Sequence, residues 1–90
     1  MKFLLGQVVM TPAVQPVLEA NNMQWIDLLG RHSSGDWGAL DEEDRQANED
    51  ALVHGGRLLS SYLLPITKEK VWIITEHDRS ATTLLLPSEY

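Results

Sequence analysis

The chain predicts an α+β fold, with three short helices packed on one face of a three- or four-stranded antiparallel sheet. Three observations predict it. Helix start and stop signals fill the first two thirds of the 90 residues. Three runs rich in Val, Ile, Thr and Leu, separated by short loops, fill the last third and form a C-terminal β-meander. One further β-type run, holding Val8 and Val9, opens the chain.

The opening run Phe3 to Met10 has no helical spacing and reads as the first strand. Thr11-Pro12 is a helix start, a hydroxyl cap followed by a proline whose missing N–H costs nothing there. Pro16 follows about one turn later, so the first helix is short, kinked or delayed to near Pro16, with Val14, Val17 and Leu18 as its buried face. Met23 to His32 reads as the second helix, with Trp25, Leu28 and Leu29 at i, i+3 and i+4 and Asp27 four residues before Arg31 as an ion pair on the wet face. The third helix begins at Asp41, which suits an N-cap. Glu42, Glu43 and Asp44 fill its first turn, where the macrodipole favours negative charge. Leu40, Ala47, Ala51 and Leu52 form its thin apolar stripe, and Gly55-Gly56 supplies a left-handed stop. Arg57 to Leu64, Lys70 to Glu76 and Ala81 to Leu86 are the remaining strands. Leu58, Leu59, Leu63, Leu64 and Leu84 to Leu86 do not alternate with polar residues, which predicts a sheet buried on both faces. A second copy of the chain is one way to cover the second face.

Length and composition predict one domain spanning residues 1–90, with a single core. No cysteine is present, so thiol nucleophiles, thiolate zinc sites and disulfides are excluded. The opening MKFLLGQVVM is interrupted by Gly6 and Gln7 and reads as a strand, not a signal peptide. No apolar run approaches the roughly 20 residues that span a bilayer, so a cytoplasmic protein is expected. The net charge of −6 argues against direct nucleic-acid binding, which needs Lys and Arg to replace phosphate counterions.

The charge is segregated. From His32 to Gly56 the chain carries seven acids (Asp36, Asp41, Glu42, Glu43, Asp44, Glu49 and Asp50) and one base, Arg45; the remainder is neutral. The plain reading is a solvated helix face. The sharper reading is an acidic surface that steers a basic partner. Trp37, set between Gly35-Asp36 and Gly38, is either a cap on the core or an exposed aromatic anchor beside those acids. The turn Glu76-His77-Asp78-Arg79-Ser80 concentrates polar groups, but neighbours on one turn do not converge as a nucleophile, base and orienting acid. An alternative site is a ligand-binding or catalytic cleft between the Trp37 loop and this turn, using His32, Asp36, Glu76, His77 and Arg79. His32, His54 and His77 lie 22 and 23 residues apart, and the Asp41–Asp44 run lacks the alternating ligands and glycine of a calcium loop, so no metal and no cofactor is expected.

The strings GDWGALDEEDRQANEDAL, GGRLLSSY and VWIITEHDRSATTLLLPSEY resemble a family of small proteins from bacterial plasmids and integrative elements, called plasmid-related proteins. The likeness runs over essentially the whole chain and implies a bacterial, mobile-element origin. It carries no activity and assigns no role to any residue. Mobile elements commonly carry small acidic proteins that blunt host defence. The expected function is therefore a non-enzymatic interaction protein. Asp36, Trp37, Asp41, Glu42, Glu43, Asp44 and Glu49 would dock on the basic surface of a protein partner, with a nucleic-acid-binding host factor as one such partner. A homodimer formed through the sheet is the third expectation.

Overall fold

A computed structural model covers Met1 to Tyr90. The elements run β1 (Gln7–Met10), α1 (Val14–Ala20), α2 (Trp25–Ser33), α3 (Glu42–His54), β2 (Leu58–Leu63), β3 (Lys70–Thr75) and β4 (Ala81–Leu85), followed by a 3-10 turn over Pro87–Glu89. The α+β class holds, with a four-stranded sheet in the order β1-β4-β3-β2. The fully antiparallel sheet is corrected. β2, β3 and β4 form the antiparallel meander, but β1 pairs parallel to β4. Hairpin loops oblige β2 to β4 to alternate in direction. β1 has no hairpin partner and returns to the sheet only through three helices, so nothing local sets its direction.

Local chemistry explains the boundaries. Gly6 adopts φ 63° and holds its Cα against the Ser80 carbonyl, where a Cβ would collide, so regular pairing starts only at Gln7. Pro12 and Ala13 form a turn, closed by the Val14 N–H on the Thr11 carbonyl at 3.2 Å, that delays α1 to Val14. Pro16 thereby falls in the first helical turn, where its absent N–H has no partner to lose. α2 starts two residues later than expected and ends one residue later, at Ser33. Asp41 caps α3 in extended conformation, its carboxylate accepting the Asp44 N–H at 2.8 Å, and Gly55 ends the helix at φ 83°.

The main core joins Val14 and Leu18 of α1 and Leu28 and Leu29 of α2 to Tyr62, Val71, Ile73 and Leu84 of the sheet. These strand residues share one face by register, since Tyr62 pairs with Val71 and Ile73 with Leu84. A smaller cluster of Trp37, Ala51 and Leu58, flanked by Phe3, Leu40 and Leu52, seats α3 at the β2 side. The far face of the sheet is also apolar, but it is buried only in part, since Leu59 is half-buried and Leu63 is 54% exposed. Ile74 and Leu85 are buried there, and the C-terminal turn folds back so that Tyr90 meets Trp72 edge-on at 5.7 Å.

α3 is docked by hydrogen bonds more than by apolar contact. The Asn48 side chain donates to the Leu59 carbonyl at 2.7 Å and accepts the Leu59 N–H at 3.0 Å, which imitates a neighbouring strand. Asn48 and Ala51 are the buried residues of α3, whereas Ala47 of the expected stripe is exposed. Asn48→Ala leaves both Leu59 groups unpaired and is expected to lower stability by about 2–3 kcal/mol, read from urea unfolding.

Candidate functional site

The first turn of α3 presents Glu42, Glu43 and Asp44 to solvent, beside the exposed cap Asp41. Arg45, the one base within the segment, turns back to donate to the Leu40 and Gly38 carbonyls at 3.1 and 2.6 Å, not to a carboxylate. The one ion pair in the protein joins Arg31 and Asp36 at 2.7 Å. Asp41, Glu42, Glu43, Asp44 and Asp50 therefore have no cationic partner. Glu49 is held inward, its carboxylate accepting the Trp37 indole N–H at 2.9 Å. The acidic face is a surface of unneutralised charge with one member, Glu49, tied to the core.

Trp37 is not an exposed anchor. It is 3% exposed, lies parallel to Phe3 with ring centres 6.2 Å apart, and meets His32 edge-on at 5.8 Å. Its backbone explains the burial. The Trp37 carbonyl accepts the Ser61 N–H and the Ala39 N–H donates to the Ser61 carbonyl, at 3.0 and 2.6 Å, so the loop meets β2 through a single parallel bridge at Gly38. Gly38 makes this approach at φ 76°, where a Cβ would strike the Ser61 carbonyl. Asp36 stays at the surface. Arg31 beside it holds its carboxyl below the usual carboxylate range, and its backbone carbonyl accepts the Tyr62 hydroxyl at 2.7 Å. Arg31 chooses Asp36 over the expected Asp27, because Asp36 is fixed in the loop that follows α2. Its guanidinium also covers the Tyr62 ring at 4.5 Å, and burial pushes the Tyr62 hydroxyl up to about 12.

The alternative cleft is not formed. His32 lies wholly beneath α2, with Nδ1 at 2.6 Å from Ser60 Oγ and Nε2 at 2.9 Å from Thr75 Oγ1. Thr75 continues the chain to Thr82 at 2.8 Å, and Thr82 donates to the Leu5 carbonyl at 2.7 Å. A carbonyl cannot donate, so Thr82 donates to Leu5, Thr75 to Thr82 and His32 Nε2–H to Thr75; with a neutral imidazole, Ser60 then donates to His32 Nδ1. The imidazole is neutral, its pKa pushed down to about 4 by burial. A Ser–His contact closed to solvent has no substrate access and serves the core.

Arg79 is held at the end of α3, its guanidinium 5.9 Å from the centre of the Phe3 ring. At φ 61° it sends its guanidinium to the carbonyls of Gly56, Glu76 and Ala51, closing the C-terminal end of α3 where a cation suits the dipole. Asp36, paired to Arg31, and Arg79, bound at the helix end, do not converge. His77 is exposed, and Glu76 meets the sheet through its backbone N–H. No three His, Asp or Glu side chains converge as metal ligands. The two surface concavities lie elsewhere. One of about 240 Å³ is walled by Val8, Val9, Met10, Trp25 and Leu84. The other is walled mainly by polar residues of α1 and the turn after it, Gln15, Glu19, Asn22, Met23 and Gln24. Sequence reasoning missed the first of these; its signal was the run Val8-Val9-Met10 with no charge beside it. No helix is long and apolar enough to cross a membrane. No family model matches the chain, and no curated protein or solved structure matches it.

Proposed function

We propose that the protein is a non-enzymatic interaction module that docks the first turn and outer face of α3 on a basic surface of a protein partner. The observation that carries this reading is the absence of internal neutralisation: Glu42, Glu43 and Asp44 are exposed, none is in an ion pair, and Arg45 is spent on backbone carbonyls. Trp37 supports the surface from below, through Glu49, and takes no part in contact. The resemblance to plasmid-related proteins extends the proposal to a cytoplasmic protein of a bacterial mobile element whose partner is a nucleic-acid-binding host factor. Such a factor has the basic surface that an acidic helix fits.

Reversing Glu42, Glu43 and Asp44 to lysine is expected to weaken partner binding at least about tenfold while the fold survives. Asp41 is left in place so that the cap remains. Native binding is expected to weaken steeply as salt rises and the Debye length falls toward about 8 Å at 0.15 M. Titration of a partner, captured from a bacterial lysate by the native protein, with both proteins at two salt concentrations checks this. Equal affinities would remove the acidic face from the account.

A further inference from the structure

The two edges of the sheet are finished differently. At the β2 edge the N–H and C=O of Leu59 are bonded to the Asn48 amide, and those of Ser61 to Trp37 and Ala39. That edge is closed over Leu59 and Ser61, and Leu63 alone presents unpaired groups at its end. At the other edge, Gln7 and Thr11 donate their N–H groups inward to the Ser80 and Leu84 carbonyls, both at 3.0 Å. Direction alternates along a parallel ladder, so Val8 and Met10 present their backbone N–H and C=O groups outward. Of the devices that protect an edge, β1 has short length, at four residues, but it holds no lysine, no proline and no charge. Its Val8, Val9 and Met10 side chains are 36, 40 and 37% exposed. Val8 and Met10 pair with Thr82 and Leu84, so they lie on the helix-covered face and wall the apolar concavity with Trp25.

We propose that this edge pairs antiparallel with β1 of a second copy, joining two sheets into one of eight strands, with Val9 facing Val9 on the two-fold axis. The register follows from the outward groups. Val8 of each copy exchanges both backbone hydrogen bonds with Met10 of the other, giving four bonds, and Pro12 has no N–H to extend a register shifted past Met10. The arrangement is self-complementary, as a two-fold interface requires, and brings the two Val8–Met10–Trp25 concavities together.

Charge selects a second copy over a basic partner here. The −6 segment lies on α3 and the loop at the β2 edge. Three strand spacings, roughly 14 Å, separate it from β1, which exceeds the Debye length of about 8 Å at physiological salt. In the paired sheet the two acidic faces sit at opposite outer ends, where they repel least and remain free. A basic ligand would be drawn to the other edge. The proposal is thus independent of the docking role given to α3.

The chain has no cysteine, so a single introduced thiol reports the contact. Residues on the axis form a non-hydrogen-bonded pair with Cα atoms about 4.5 Å apart, within disulfide range. Sedimentation of the native full chain should give a dimer at micromolar concentration. Val9→Cys under mild oxidation should form a disulfide-linked dimer at least about tenfold faster than Val53→Cys, an exposed position on α3. Val9→Lys, which sets like charges across the axis, should raise the dimer dissociation constant at least about tenfold with an unchanged circular dichroism spectrum. A native chain that stays monomeric to about 100 µM overturns the proposal and leaves the edge to a strand from a different protein. A dimer unaffected by Val9→Lys, with Val9→Cys no faster than Val53→Cys, also overturns it, because the contact then uses another surface.

Discussion

Trp37→Ala is expected to destabilise the protein by about 3–5 kcal/mol, the range for removing a buried aromatic side chain. For a domain this small, that corresponds to a fall in Tm of more than about 12 °C. The side chain stacks on Phe3, meets His32 edge-on and packs with Ala51 and Leu58, so its removal opens the junction of the N-terminal segment, α2, α3 and β2. Trp37→Phe separates packing from hydrogen bonding. It keeps most of the ring contact and loses the indole N–H to Glu49, and should cost about 1.5–3 kcal/mol. Unfolding followed by circular dichroism checks both. A cost below about 1 kcal/mol for Trp37→Ala would mean that the indole is a surface group, contrary to its 3% exposure.

Stability is expected to fall by about 2 kcal/mol between pH 7 and pH 5 through His32 alone. The folded imidazole titrates at about 4 and the unfolded one near 6.5. In that interval the unfolded chain binds the proton and the folded chain does not, so acid favours unfolding. The loss begins as pH drops below about 6.5 and is complete near pH 4. The full difference approaches about 3 kcal/mol. Depressed carboxyl groups act in a separate, more acidic window. Asp36 and Glu89 are held below their ordinary values by Arg31 and by the Thr11 hydroxyl, and their contribution is lost only as pH falls through the carboxylate range. His32→Gln retains one donor and one acceptor for Thr75 and Ser60 and should flatten the pH 5–7 slope. Urea unfolding of both proteins across that interval tests it. An unchanged slope in the variant would assign the titration to another group.

Much of α3 was legible in the sequence because its signals are local. Asp41 caps through its own side chain, and Gly55 stops through its own φ, so neither needs knowledge of a partner. The meander was legible to within a residue or two at each strand end for the same reason, since β-rich runs and short loops constrain one another. The first strand was not. Its parallel pairing with β4 depends on where three helices return the chain, and Gly6 shortens it through contact with Ser80, more than seventy residues on.

The site was legible in part. The exposure of Glu42 follows from its place opposite Ala51, whereas Asp44, in line with Ala51, is exposed because it lies in the first turn, ahead of the buried Asn48 and Ala51. The burial of Trp37 rests on long-range bonds of its loop to Ser61, so the two readings of the Gly-Asp-Trp-Gly stretch could be told apart only in three dimensions. Asn48 shows a different limit. An amide in line with Ala51 on α3 looks polar and solvated, yet it is the hydrogen-bonded hinge of the helix on β2. His32 left a clearer trace. It stands four residues after Leu28 on the apolar face of α2, and Ser60, Thr75 and Thr82 are hydroxyls on one face of three adjacent strands. Small hydroxyls facing a helix histidine are what a buried polar relay requires.

The acidic face is tested most directly by affinity capture from a bacterial lysate at low salt. The native protein is the bait, and the variant with Glu42, Glu43 and Asp44 reversed to lysine is its folded control. The account predicts a basic protein that is retained by the native bait, released by moderate salt and absent from the variant. Identical captures by the two baits would contradict it and return α3 to an ordinary solvated helix.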